Sequence, residues 1–326
     1  MHRIYFATNR NYLKKTNPWF GTDLSSKGDL RFGHADVNTN KDYSINSVSI
    51  YPDLEQEGSF NAFCKLQESM KNQSRDTVIL IHGYNVSFSN ALSDSARFID
   101  CCKSASDNSY EPNVIAYSWP SDGKLLKYVN DRRDAALSAI GLARAILKYY
   151  SFLLQQRQSS SPMCNRKVHL ICHSMGNYVL RNALQEVLKL NEHRIVKLFN
   201  EILLIAADED NDTFDFDHKL LPLSGMSSRI STYFNKNDLA LEASHDVKGN
   251  MTRLGKTGPL HTITIPPSIK PIDVTSVVHD LVGHDYHIKP FGARVQLDIV
   301  NTLMGIPSEE ITGRRYIPQA GKYSLV

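Results

Sequence analysis

The run VHLICHSMGNYVL, residues 168–180, constrains the fold more than any other stretch. VHLIC has the β-rich, weakly alternating composition of a strand buried on both faces. Val179, Leu180, Ala183, Leu184, Val187 and Leu188 then repeat with the period of a helix. Almost nothing separates the two, so the chain must turn sharply at Ser174. A strand covered on both faces and followed at once by a helix implies a parallel sheet with helical crossovers.

The same unit recurs along the chain. TVILIHG (77–83) precedes Phe88, Ala91, Leu92, Ser95, Ala96 and Ile99 at helical spacing. NVIAYSW (113–119) ends at Pro120 and Gly123, and Ala136, Ile140, Ala143, Leu147 and Tyr150 then form one helical face. Polar QQRQSSSPMCNRK (155–167) reads as a loop. EILLIAA (201–207) and RISTYF (229–234) are further buried strands, and IYFATN (4–9) and INSVSIY (45–51) are early ones. HTITIP and PIDVTSVV form a last strand pair before a helix near 292–304. The expectation is a mostly parallel, doubly wound α/β sheet with helices on both faces. It is expected to form one domain over 1–326, with cap or loop insertions near 209–228 and 239–260.

Hydrophobic residues at 41% and charged residues at 22% supply a large core and argue against disorder. The net charge is +3, with the basic residues scattered, so a nucleic-acid partner is not expected. Cys64, Cys101, Cys102, Cys164 and Cys172 show no metal-binding spacing and read as reduced thiols. MHRIYFATNR lacks the core of a secretory signal, and no stretch approaches an uninterrupted membrane span. A cytoplasmic protein without stable membrane insertion is the expectation.

Ser174 is the first candidate for chemistry. A Ser on a strand-to-helix elbow is raised above the sheet edge, with the amide behind it at a helix start that favours an anion. Gly176 keeps the turn uncrowded, whereas Cys172 stands where Gly is usual, giving CxSxG in place of GxSxG. The plain structural alternative for Ser174 is a helix N-cap. HGYN (82–85) ends the TVILI strand, where a second oxyanion donor is expected, with Gly83 allowing close approach and Tyr84 offering its amide beside that of Met175.

FATNR (6–10), ILIHGYNVSFSNAL (79–92), YSWPSDG (117–123), HLICHSMGNYVL (169–180), AADEDNDTF (206–214), YFNKNDLAL (233–241) and GHDYH (283–287) together resemble serine hydrolases of the α/β-hydrolase fold. Within them the chain is most similar to the bacterial DUF900 branch of unknown function. The resemblance implies a nucleophile, an acid and a base in the chain order Ser, Asp, His. Asp238 corresponds to the acid, with Asp208 as the rival, and His284 to the base, with His287 and His279 as neighbours. His82 and His173 are expected to shape the pocket.

Asp208, Asp210, Asp212, Asp215 and Asp217 alternate like a cation loop but lack the Gly and Glu of a calcium hand, so a solvated loop over the pocket is expected. Asp122, Asp131, Arg132, Arg133 and Asp134 read as a surface charge network. The pocket lining is expected from the helix after residue 120 and from the two insertions. The reading is a serine hydrolase acting on an ester, thioester or related acyl bond of a small-molecule substrate, without cofactor or metal. The alternatives are an acyltransferase with the same triad, or a binding or regulatory module on a hydrolase scaffold.

Overall fold

The computed structural model describes residues 1–14, 19–40, 42–52, 57–121, 128–158, 164–190, 195–242, 252–280 and 282–326. The strands are β1 (His2–Thr8), β2 (Arg10–Tyr12), β3 (Phe20–Leu24), β4 (Arg31–Val37), β5 (Ile45–Ile50), β6 (Thr77–Ile81), β7 (Asn113–Ser118), β8 (Val168–His173), β9 (Phe199–Ile205), β10 (Ser227–Phe234), β11 (Ile269–Asp273), β12 (Arg314–Ile317) and β13 (Lys322–Leu325). The principal helices are α1 (Glu57–Gln73), α2 (Phe88–Ala105), α3 (Tyr128–Gln158), α4 (Gly176–Leu190) and α5 (Ala293–Met304).

Among the described residues, eleven strands form one sheet in the order β12-β13-β11-β10-β9-β8-β6-β7-β1-β4-β5. The run from β13 to β1 is parallel throughout, and only β12, β4 and β5 pair antiparallel, at the two edges. β7 lies on one side of β6 and β8 on the other, so the winding reverses there. Ligands bind outside the carboxyl ends of strands at such a reversal. HGYN follows β6 and Ser174 follows β8, which puts both motifs at that point.

Alternation along the buried strands divides the core in two. Leu170 and Cys172 of β8 and Ile202 and Leu204 of β9 pack with α1, α3 and α4. Ile171, Leu203 and Ile205 pack on the opposite face with α2 and α5. The arrangement is a three-layer α/β-hydrolase fold. Asp131–Arg157 of α3 is long and apolar enough by composition to cross a membrane, but here it packs on α4 and the sheet.

Several expectations need correction. The segment between the first two expected strands holds β2, β3 and β4. β4 was hidden by Gly33, whose lack of a side chain admits the Phe6 ring; a Cβ there would come 2.4 Å from Phe6 Cζ. HTITIP is not a strand; Ile263 is 75% exposed and the segment makes turns before Pro266 and Pro267. The hairpin β12–β13 closes the edge instead, unsignalled because its residues are mostly polar or exposed.

α3 also presents a different face from the one expected. Ala135, Ala139, Leu142 and Ile146 are buried while Ile140 is 48% exposed, and only Ala143 is shared by both faces. Ala, Leu and Ile surround this helix, so periodicity alone does not select a side. Helix α3 extends to Gln158, into the segment expected as a loop, and residues 159–163 of that segment lie outside the described residues.

Candidate active site

Ser174 adopts a left-handed conformation, φ +50°, between β8 and α4. A non-glycine residue held there costs on the order of 1–3 kcal/mol, so the surroundings must enforce it. They do so through the backbone. Ser174 N–H donates to Ile205 O at 3.0 Å, and its own carbonyl accepts from Asp208 N at 3.1 Å and from Asn177 Nδ2 at 2.9 Å. A Cβ on Gly176 would lie 2.7 Å from the carbonyl oxygens of both Ile81 and His82, so only glycine lets α4 start this close to β6.

Cys172 does not crowd the turn as its replacement of glycine suggested. Its side chain is fully buried in the apolar cluster that contains Ile81, Met175 and Leu204, and burial raises its thiol pKa well above the usual range. The positive φ falls on Ser174, leaving Cys172 an ordinary strand residue. Behind Ser174, the Met175 N–H donates to no group among the described residues. It is an unspent donor at the start of a helix.

The HGYN loop lies directly against this elbow. A Cβ on Gly83 would come 2.8 Å from Ser174 Cβ and 3.1 Å from His173 Nδ1. His82 stacks on Trp119 at 5.2 Å between centroids, and Trp119 Nε1 donates to the His82 carbonyl at 2.8 Å. His82 Nδ1 donates to Gly83 O at 2.8 Å, so its Nε2 carries the lone pair.

His284 Nδ1 lies 2.7 Å from Asp238 Oδ2. A carboxylate only accepts, so Nδ1 carries the proton and Nε2 is left as the basic nitrogen. Asp238 is fully buried and its other oxygen accepts from Leu241 N at 3.0 Å, making this side chain an N-cap for the turn that follows. Gly283 has φ +57°, and a Cβ there would meet Asn235 Nδ2 at 2.5 Å. That same amide donates to Gly283 O at 3.0 Å, tying the histidine segment to the end of β10. Tyr286 adds a second tie, accepting from Ala206 N at 2.9 Å and donating to Tyr233 O at 3.1 Å.

Electrostatics separates His284 from its neighbours. Burial opposes charge on His284, but the Asp238 carboxylate outweighs it through charge and hydrogen bond, and Asp285 and Asp208 add to the effect, so the pKa is raised above 6.5. His173 and His287 pack beside it as tilted rings, with centroids 4.8 Å from His284 to His173 and 4.4 Å from His173 to His287. Burial, reinforced by His284, lowers His173 to about 4, and burial with His173 lowers His287 well below 6.5. Burial and the nearby Arg10 cation lower His82 to about 3. The surrounding imidazoles are therefore neutral, and His279 is exposed away from them.

Asp208 is placed differently from Asp238. It faces the fully buried Arg253, whose Nε is 3.5 Å from its Oδ1. The acidic run after it is a paired and partly buried network instead of a solvated loop. Glu209 pairs with Arg181 at 2.9 Å, Asp210 with Arg253, Asp212 with Lys219, and Asp215 with His261 at 2.8 Å. Asp217 alone of the expected series is exposed, beside exposed Phe216.

One cavity of about 670 Å³ collects these groups. Ser174, His284, His82, Gly83, Tyr84, His173, His287 and Asp208 line it, with polar Asn85, Asn90, Asp94, Arg97, Asp285 and Lys289 and apolar Leu80, Val86, Ala240, Leu241 and Ile288 completing the wall. The lining comes from α2, the loop after β6 and the segment 284–289. Among the described residues none comes from α3, which packs on the opposite sheet face. Nor does 209–228 reach it, because Phe214, Leu220, Leu223 and Met226 are drawn into the apolar core. From the second insertion Ala240 and Leu241 contribute, while 243–251 lies outside the described residues.

The model for the DUF900 family, described as alpha/beta hydrolases of unknown function, matches residues 59–292. The chain belongs to the DUF900 family. It is also 30% identical over 213 residues to an uncharacterized protein, alr1448, of Nostoc sp. (strain PCC 7120), covering 56% of this chain and 50% of that protein. The chain thus spans about half the length of the curated relative it matches.

Beyond the residues singled out in the sequence, this DUF900 protein uses others to assemble the cavity. Asn177, Asn235 and Tyr286 hold the elbow and the histidine segment. Asn177 stands within HSMGN, but an asparagine in a motif does not announce which carbonyls it will reach. Asp131, expected on the surface, is fully buried and accepts from Ser121 Oγ at 2.5 Å, while Arg132 lies over the Tyr178 ring at 3.7 Å. Asp122 lies outside the described residues. All five cysteines are free thiols.

Proposed function

We propose that this protein is a serine hydrolase that cleaves an ester, thioester or related acyl bond through Ser174, His284 and Asp238. The observation that carries the reading is the 2.7 Å pairing of His284 with buried Asp238, on a cavity that also holds Ser174 on its left-handed turn. His284 Nε2 takes the Ser174 proton as Oγ attacks the carbonyl carbon. The amides of Met175 and Tyr84 receive the oxyanion, each such donor contributing about 3 kcal/mol to the transition state. The imidazolium returns the proton to the leaving group, and a water deprotonated by the same nitrogen releases the acid. Asp238 holds the tautomer and offsets the positive ring.

Asp238 is the better acid than Asp208. Its carboxylate meets the imidazole, whereas Asp208 is matched to Arg253. The cavity wall mixes polar Asn85, Asn90, Asp94, Arg97 and Lys289 with apolar Leu80, Val86, Leu241 and Ile288, so it accommodates an acyl group of either kind, and chain length is the property to test. The test is labelling with a fluorophosphonate probe, with Ser174→Ala as the control, followed by an acyl chain-length series. Wild type is expected to label and the variant not to. Equal labelling of both removes Ser174 as the nucleophile.

A further inference from the structure

A backbone amide stabilises an oxyanion only if it is already aimed when the charge develops. The loop that carries Tyr84 is tied down on two sides, and both ties lead to one buried side chain outside the family match. Arg10, at the start of β2, has no exposed surface. Its Nη2 donates to Val86 O at 2.7 Å, its Nε to Ser118 Oγ at 2.9 Å, and its Nη1 to Gly21 O at 3.0 Å and Ser121 O at 3.5 Å. Ser121 in turn accepts the Asn85 N–H at 2.8 Å and donates to Asp131. Asn85 sits at φ +60°, a left-handed conformation that asparagine tolerates, so the backbone turns sharply immediately after Tyr84.

We infer that Arg10 is the positioning residue of the oxyanion loop: its guanidinium locks the Val86 carbonyl to the end of β7 and thereby aims the Tyr84 amide at Ser174. The inference rests on the serine-hydrolase reading. A buried cation is a poor route to stability, because an apolar side chain of similar volume fills the same space without desolvating a charge. Here burial pulls the Arg10 pKa down to about 9, with Asp131 opposing. What the guanidinium provides, and an apolar group or lysine cannot, is a planar fork that meets Val86, Ser118 and Gly21 together.

The test compares wild type, R10K and Ser118→Ala. The measurements are KM and kcat on a soluble short-chain ester, the rate of fluorophosphonate labelling, and affinity for a trifluoromethyl ketone, whose serine adduct bears an oxyanion. R10K with wild-type circular dichroism is expected to lose about tenfold or more in kcat and in ketone affinity, with KM within about twofold. Ser118→Ala, which frees Nε and leaves the cation in place, is expected to lose about threefold in the same two quantities. Unchanged ketone affinity in folded R10K overturns the inference, as does an equal loss in KM and ketone affinity. If R10K does not fold, wild-type ketone affinity in Ser118→Ala overturns it. A wild-type protein that fails to label defeats the underlying hydrolase reading instead, and so is told apart from a failure of the Arg10 role.

Discussion

Gly83 and Ser174 touch: a methyl group at position 83 would come 2.8 Å from Ser174 Cβ. Neither side can yield, because Ser174 is held at φ +50° by bonds to β9 and α4, and Gly83 by the end of β6. Gly83→Ala is therefore expected to separate the two motifs and slow fluorophosphonate labelling by at least about 100-fold, the cost of roughly 1 Å of misplacement. A labelling rate within threefold of wild type contradicts this packing.

The two aspartates give opposite signatures. Asp238→Asn should keep the fold and lower kcat by about 10³- to 10⁴-fold, since an amide cannot hold the imidazole in the required tautomer. Asp208→Asn leaves Arg253 short of a buried partner, so its main effect should be a stability loss of about 3 kcal/mol. Parallel kinetics and urea denaturation decide between them, and a reversed pattern would reassign the acid.

In the proposed mechanism, protonation of His284 switches off the base. Because its pKa is raised, kcat/KM should climb with pH on a limb centred above 6.5. Stability falls on the acid side as well. His82, His173 and His287 stay neutral in the fold, so below 6.5 the unfolded chain binds protons that the native protein refuses. The raised His284 opposes this below 6.5 and loses its contribution as pH rises through its folded pKa, but three groups outweigh one. Each costs on the order of 1 kcal/mol per pH unit. Urea midpoints at pH 7 and pH 5 should show the loss at pH 5; equal midpoints would refute it.

Restoring the common residue at the elbow should not help. Cys172→Gly removes a fully buried side chain and adds chain entropy to a central strand, so it should destabilise by about 1–3 kcal/mol. Activity at low temperature should stay near wild type, because the turn itself is built at Ser174 and Gly176. A thermal melt beside the ester assay is sufficient; a gain in both would show that the cysteine strains the turn.

Much of this was legible in the residues. TVILI, NVIAYS, VHLIC and EILLI each carry an apolar run on both faces, and a strand of that kind has few places to go except the middle of a parallel sheet. Ser174, Gly83 and Gly176 could be read because a tight elbow restricts residue size locally. Asp238 and His284 entered through resemblance; the structure pairs them with each other and sets Asp208 against Arg253. The edge strands and the buried face of α3 were not legible: mixed polarity hides an edge strand, and a helix apolar all round has no preferred side until it packs.

The sequence by itself determined the layers and the elbow, since both follow from local burial pattern and steric size. Tertiary structure alone decided the partners. Whether an aspartate meets an imidazole or an arginine, and whether Arg10 lies on the surface or against the HGYN loop 76 residues away, depends on which strand ends the topology brings together. Hydrogen bonds and ion pairs reach only a few ångströms, so no local pattern along the chain encodes them before the sheet has formed.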